Sequence, residues 1–217
     1  MIHVLQFVGH VDDLKLSHDN PVLVTQFIEW LKMKYEDEEI GKMKASRGKI
    51  HDYLGMVFDF SNKGKVKISM KEYVKSMITD FEQHASGEAK TPAPTYLFNT
   101  RDTAEKLSED LAIVFHNMVA RGLFLCKRAR PDIQTAIAFL STRVKQPDND
   151  DWKKLIRLIN YLHHTKDLVL TLEADDLRLL KWFIDAAFAV HVDFKINTGG
   201  AMTLGKGFPV SQSTKQN

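Results

Sequence analysis

Apolar and polar positions along this chain change their period several times, and each change marks an expected element. Two short apolar-rich runs, Val4-Leu5-Gln6-Phe7-Val8 and Leu14-Lys15-Leu16, flank Gly9-His10-Val11-Asp12-Asp13, so residues 1–18 read as a hairpin. Leu23, Val24, Phe27, Ile28 and Leu31 then recur at helical spacing, with Asp19 or Asn20 ahead of Pro21 as the helix start. The acidic run Glu36-Asp37-Glu38-Glu39 reads as a solvated face or loop. Residues 49–60 have strand-like content, Ser61-Asn62-Lys63-Gly64 forms a turn, and Lys65 to Met70 alternates with period two. Lys71 to Phe81 returns to helical spacing through Tyr73, Val74, Met77, Ile78 and Phe81.

Residues 85–103, with Ala85-Ser86-Gly87 and Thr91-Pro92-Ala93-Pro94, read as a linker. Three helical patterns follow: about Glu109 to Arg128, from near Asp132 to Val144, and Asp151 to about His164. An apolar strand, Leu168 to Leu172, and a second one, Trp182 to Ala189, open the last segment. The expected class is α+β, divided at residues 1–84, 85–103, 104–167 and 168–217.

Composition narrows the function classes. The 44% apolar content of 217 residues is enough for a core, and the formal charge of +2 excludes a global basic field. No apolar run is long enough for a membrane span, and a secretory leader pattern is lacking, so a cytoplasmic or nuclear location is expected. Cys126 is the single cysteine, which rules out an internal disulfide, and its apolar neighbours favour a buried inert thiol. The nine histidines show no zinc-ligand spacing. Charge is uneven locally: residues 41–77 hold nine Lys or Arg against three acids, a balance of +6. That stretch is either a solubilising strand face or a surface for a nucleic-acid backbone.

Asp12 and Asp13 are the candidate chemistry. Neighbouring residues in mid-strand face opposite ways, whereas a hairpin tip lifts both carboxylates to the end of a small sheet. Such a pair suits Mg²⁺, a hard cation that combines one or two carboxylates with substrate phosphates; a plain polar turn is the other reading. The stretch Gly9 to His18 resembles the active-site turn of reverse transcriptases of copia-type long-terminal-repeat retrotransposons, whose common form is aromatic-Val-Asp-Asp-Leu. His10 stands where a tyrosine is usual. Three later blocks resemble the same family in the same order. Tyr53-Leu54-Gly55-Met56 followed by Met70-Lys71-Glu72-Tyr73-Val74 is similar to the block that positions the primer. Arg130-Pro131-Asp132-Ile133, Leu140-Ser141, Trp152, Tyr161-Leu162 and Thr165-Lys166-Asp167 are similar to the helical thumb and connection. Trp182 to Ala189, Thr198-Gly199-Gly200 and Ser213-Thr214-Lys215-Gln216 are similar to the opening strands of ribonuclease H.

The resemblance implies partial polymerase palm hairpins with helices, a helical thumb or connection, and the first strands of a ribonuclease H-like unit. It implies catalytic, metal-binding carboxylates at Asp12, Asp13 and Asp185, with Mg²⁺ or Mn²⁺. Nucleic-acid contacts fall to Tyr53, Leu54, Gly55, Met56, Lys65, Lys67 and Arg130. Arg130, like Arg121, Lys127 and Arg128, faces either phosphates or solvent. The implied partners are an RNA or DNA template with primer and a deoxynucleoside triphosphate (dNTP), with no membrane. The family's centres also take an upstream aspartate and a downstream glutamate. With eleven residues ahead of Asp12 and an end at Asn217, the expectation is a Pol fragment inactive on its own. The alternatives are a non-catalytic nucleic-acid-binding remnant and a translated relic.

Overall fold

The computed structural model describes residues 4–37, 41–85, 87–191 and 193–216. Glu38, Glu39, Ser86 and Asn217 lie outside the described residues. Five α-helices and three antiparallel sheets are present among the described residues, so the chain is mixed α and β.

Strands β1 (Gln6–His10) and β2 (Asp13–Ser17) pair with His10 opposite Asp13, which leaves Val11-Asp12 as a two-residue turn. Helix α1 (Pro21–Tyr35) starts as its sequence dictates: proline occupies the first turn and the Asn20 side chain accepts the Val22 N–H at 2.9 Å. Its apolar stripe meets no core, and none of its residues is buried. Phe27 stacks on Trp30 instead, with ring centroids 5.6 Å apart.

The stretch 49–60 is not one strand. It folds back on itself as β3 (Ile50–Tyr53) and β4 (Met56–Asp59), because Leu54 and Gly55 take φ of +52° and +73°. Positive φ at both central residues is the turn geometry whose twist matches a right-handed hairpin. Gly55 supplies it freely. Leu54 adopts it against its own steric preference, which is why the turn is hidden in the sequence. Strand β5 (Lys65–Ser69) pairs with β4 and sends Val66 and Ile68 towards the helices.

Helix α2 (Lys71–Phe81) buries Val74, Met77 and Phe81 at helical spacing. Helix α3 (Glu109–Cys126) is capped by Ser108, and a short 3-10 turn, Pro131–Ile133, leads into α4 (Gln134–Ser141). Helix α5 (Asn149–His164) carries a reciprocal capping box between Asp148 and Asp151. Phe115, Leu125, Ile137, Leu140, Leu155, Leu158 and Leu162 from these helices are fully buried and form the centre of the core. Cys126 is buried there too. Burial pushes its thiol up to about 11, so it is a protonated packing group.

Residues 85–103 are not a free spacer. Ala89 and Leu97 are buried, Lys154 Nζ donates to the Asn99 carbonyl oxygen at 2.6 Å, and Arg101 holds Asp150 through two hydrogen bonds. The segment is stitched along α5.

Strand β6 (Leu170–Ala174) pairs with β5, and a short β9 (Gly205–Lys206) follows it, giving a five-stranded sheet ordered β3-β4-β5-β6-β9. This sheet joins residues from both sides of the expected divisions at 84 and 168. One face packs on the helices through Phe58, Ile68, Leu170 and Leu172. The third sheet, ordered β10-β8-β7, comprises β7 (Lys181–Ala187), β8 (Asn197–Thr203) and β10 (Val210–Lys215). It is tied to the helices where β10 meets α4 and where Lys127 Nζ donates to the Ser211 carbonyl oxygen at 2.9 Å.

Candidate functional site

The carboxylate pair sits where the sequence puts it. Asp12 is in the β1–β2 turn, Asp13 opens β2, and both are exposed. Val11, ahead of them, has φ of +52° and is almost wholly exposed. A β-branched residue in the left-handed region is a backbone outlier costing about 1–3 kcal/mol. The turn is therefore held by the strand pairing and not by local preference.

A second hairpin leans on the first. Tyr53 Oη donates to the Val8 carbonyl oxygen at 3.2 Å, and Lys15 Nζ lies 5.2 Å from the centre of the Phe60 ring. Tyr53 is also 6.5 Å from Phe58 and Phe58 stacks on Phe60, so a row of rings backs the β3–β4 hairpin. These contacts bring the Asp12-Asp13 hairpin and the Tyr53-Leu54-Gly55-Met56 turn into one assembly.

The basic strand face is largely answered by acids. Lys65 lies directly opposite Glu173 across the β5–β6 ladder, with 3.0 Å between their charged groups. Lys67 lies opposite Asp59 on β4. The Asp59 carboxyl is held below the usual range, first by its hydrogen bond to Ser61 and in smaller part by Lys67. Glu173 comes from far along the chain, which is why the local excess of +6 overstates the field.

Arg130 departs most from expectation. It is only 3% exposed, and its guanidinium is taken up by Asp132 and by the carbonyl and hydroxyl oxygens of Thr165. Asp132 in turn accepts the Tyr161 hydroxyl at 2.8 Å. Geometry gives Arg130 the job of fastening the end of α5 to the turn after α3. Of the other cations of this region, Arg121 reaches Asp80 and Ser76, and the Arg128 guanidinium carbon lies over the Phe124 ring, 3.5 Å from its centre.

Asp185 sits in β7, opposite Gly199 of β8, and its side chain accepts the Ala186 N–H at 2.8 Å. Gly199 and Gly200 add no side chains to the neighbouring strand, so Trp182, Phe183, Ile184 and Asp185 border an open cavity of about 500 Å³. Asp185 is exposed and belongs to a different sheet from Asp12 and Asp13. Among the described residues, no three His, Cys, Asp or Glu side chains converge to hold a metal ion. The donor set nonetheless fits Mg²⁺ in its usual mode, in which one or two carboxylates are completed by phosphate oxygens and water. No described helix is long and apolar enough to cross a membrane.

Sequence comparison relates the chain to proteins of transposons. The chain is 25% identical over 209 residues to a transposon Ty5-1 protein of Saccharomyces cerevisiae, covering 95% of this chain and 64% of that protein. It is 22% identical over 213 residues to the retrovirus-related Pol polyprotein from transposon RE2 of Arabidopsis thaliana, covering 98% of this chain and 14% of that protein. With the corresponding polyprotein from transposon TNT 1-94 of Nicotiana tabacum, identity is 20% over 210 residues, 95% of this chain and 15% of the relative. The chain thus spans under two thirds of the length of each relative. No family profile and no solved structure matches. Over nearly its whole length the chain is thus similar to a transposon Ty5-1 protein and to two retrovirus-related Pol polyproteins of transposons.

Proposed function

We propose that this chain is the part of a copia-type reverse transcriptase that carries the end of the palm, the thumb or connection, and the opening strands of a ribonuclease H-like unit. The observation that carries this reading is the docking of the β3–β4 hairpin on β1 through Tyr53 and Val8. It couples a turn suited to holding a primer end to the hairpin that bears the carboxylates.

In this reading Asp12 and Asp13 are the carboxylates that would hold Mg²⁺ or Mn²⁺. The ion, when bound, neutralises triphosphate charge and lowers the pKa of the attacking primer 3′-hydroxyl. Asp12 and Asp13 would be its protein ligands at the hairpin tip. Leu54, Gly55 and Met56, with Tyr53 anchored behind them, align the primer strand, since polymerisation depends on positioning more than on side-chain proton transfer. Lys67, and Lys65 once competed from Glu173, meet backbone phosphates on the open sheet face. Among the described residues Asp185 is the one carboxylate lining the cavity of the third sheet and would supply a single oxygen ligand to a metal there. Arg130 is left out of the contact set because its guanidinium is already bonded within the fold.

Two-metal phosphoryl transfer draws on more donors than two carboxylates, and among the described residues no third His, Cys, Asp or Glu converges with Asp12 and Asp13. The test is primer extension by the chain alone and by the chain within a polypeptide carrying the preceding Pol segment. Extension by the longer form, abolished by Asp12→Asn, supports the assignment. Extension at the wild-type rate in Asp12→Asn refutes it. Template–primer affinity that falls steeply with salt, without extension in either form, marks a binding module instead.

A further inference from the structure

Outside the hairpin assembly, the 85–103 segment and α5 enclose a cavity of about 230 Å³ lined by Lys153, Lys154, Arg157, Asn160, Tyr96 and Glu88, among others. Three of these are cations on successive turns of one helix, at positions i, i+1 and i+4, and Asn160 adds an amide one turn further on. Such a run is ordinarily a solvated face, but here it lines a concavity walled by a second segment.

The cations are not equivalent. Lys154 is buried, donates to the Asn99 carbonyl oxygen and lies 3.8 Å from Asp151, so its charge is mostly met within the fold. Arg157 spends one terminal nitrogen on the Thr91 hydroxyl at 2.8 Å, while its Nε is shielded from solvent with no hydrogen-bond partner among the described residues. A shielded guanidinium N–H without an acceptor is costly, so the Arg157 head group is incompletely satisfied within the fold, and its charge borders the cavity. Lys153 is exposed at the rim. Glu88, the one acid in the lining, lies 3.6 Å from the His164 ring nitrogen.

We propose that this cavity is a phosphate-binding site in which Arg157 and Lys153 hold a phosphate group, Asn160 donates to one of its oxygens, and the exposed Tyr96 ring offers a face to the attached nucleoside. The volume is below the 300–1,000 Å³ of sites that engulf drug-sized ligands, so it takes the phosphate and leaves the base at the mouth on Tyr96. A mononucleotide and a phosphodiester within a strand share this chemistry. The proposal is independent of the role given to Asp12, Asp13 and the β3–β4 turn.

Calorimetric titration of the chain with adenosine monophosphate, inorganic phosphate and acetate tests it. The expected result is saturable binding of the nucleotide, weaker binding of phosphate, and none of acetate. Lys153→Gln and Arg157→Gln should each weaken the nucleotide about tenfold, the loss of one charge-assisted contact. Tyr96→Ala should weaken the nucleotide and leave inorganic phosphate unchanged. Lys153 is exposed, so its variant keeps the test open if Arg157→Gln unfolds. Displacement of the nucleotide by a single-stranded oligonucleotide identifies a strand phosphate as the natural occupant, and no displacement identifies a free nucleotide. No binding of nucleotide or phosphate, or affinity unchanged in Lys153→Gln and Arg157→Gln, overturns the proposal. Neither outcome bears on primer extension by Asp12 variants.

Discussion

Tyr53 and Val8 join two hairpins through one hydrogen bond, the phenolic hydroxyl of the first donating to the backbone oxygen of the second at 3.2 Å. The β1–β2 strands have no buried residue and α1 has none either, so this link and the Lys15–Phe60 contact are what fasten the carboxylate hairpin to the β3–β4 hairpin among the described side-chain contacts. Tyr53→Phe keeps the ring and removes the bond. Global stability should fall by at most about 1 kcal/mol. Amide exchange in residues 6–17 should nevertheless quicken several-fold, measured by hydrogen exchange, while exchange in α5 stays unchanged.

Leu54 holds a conformation that favours glycine or asparagine. Leu54→Asn should stabilise the hairpin by about 1 kcal/mol through relief of left-handed strain. Urea denaturation reads the gain. If Leu54 also presses on a primer strand, the same variant will bind template–primer more weakly, separating turn chemistry from contact chemistry.

Gly122 lies on α3 where α4 crosses, and a Cβ there would collide with the Ile137 side chain. Gly122→Ala should cost about 1–3 kcal/mol, the usual penalty for overpacking a filled core. Adding Ile137→Val should return part of that loss, because the two sites share one contact. Thermal melts of the single and double variants check both statements.

Stability should depend on pH through the capping box of α5. Burial pushes the Asp148 carboxyl up, but the N–H of Asp151, the cations Arg143 and Lys106, and the N–H of Asp150 outweigh it and hold it below the ordinary range. A depressed folded pKa stabilises above the unfolded value, near 3.9, and that contribution is lost as pH falls through the folded value. Asp151 acts in the opposite sense: its burial raises the carboxyl, so its charged form weakens the fold as pH rises. Melting midpoints of the wild type should therefore drop below about pH 4, and Asp148→Asn should flatten that acid limb while lowering the midpoint at neutral pH.

Local pattern revealed the local elements. The helical periods of α2 and α5 and the alternation of β5 are properties of neighbouring residues, and each element appears where its pattern lies. The Asp12-Asp13 turn was legible for the same reason. The turn at Leu54 was not, because leucine carries no turn signal and only strand pairing forces its φ. Long-range pairing hid the rest: Glu173 facing Lys65, and Thr165 and Asp132 enclosing Arg130, are partners supplied by remote parts of the chain. Likewise, the proline-containing segment 85–103 shows a linker's composition, while its packing on α5 depends on Asn99 and Thr91 meeting Lys154 and Arg157.

The β5–β6 ladder ties Lys65 to Glu173, residues roughly 100 positions apart. During synthesis β5 must therefore wait, with one edge open, until β6, about four fifths of the way along the chain, has left the ribosome. A strand waiting in this way offers its edge to any neighbour, including β5 of another nascent copy. A termination product ending before residue 170 should accordingly be found in aggregates, whereas the longer chain closes its own edge. Where translation of this reading frame stops thus governs whether the basic face of β5 reaches solution inside a folded protein.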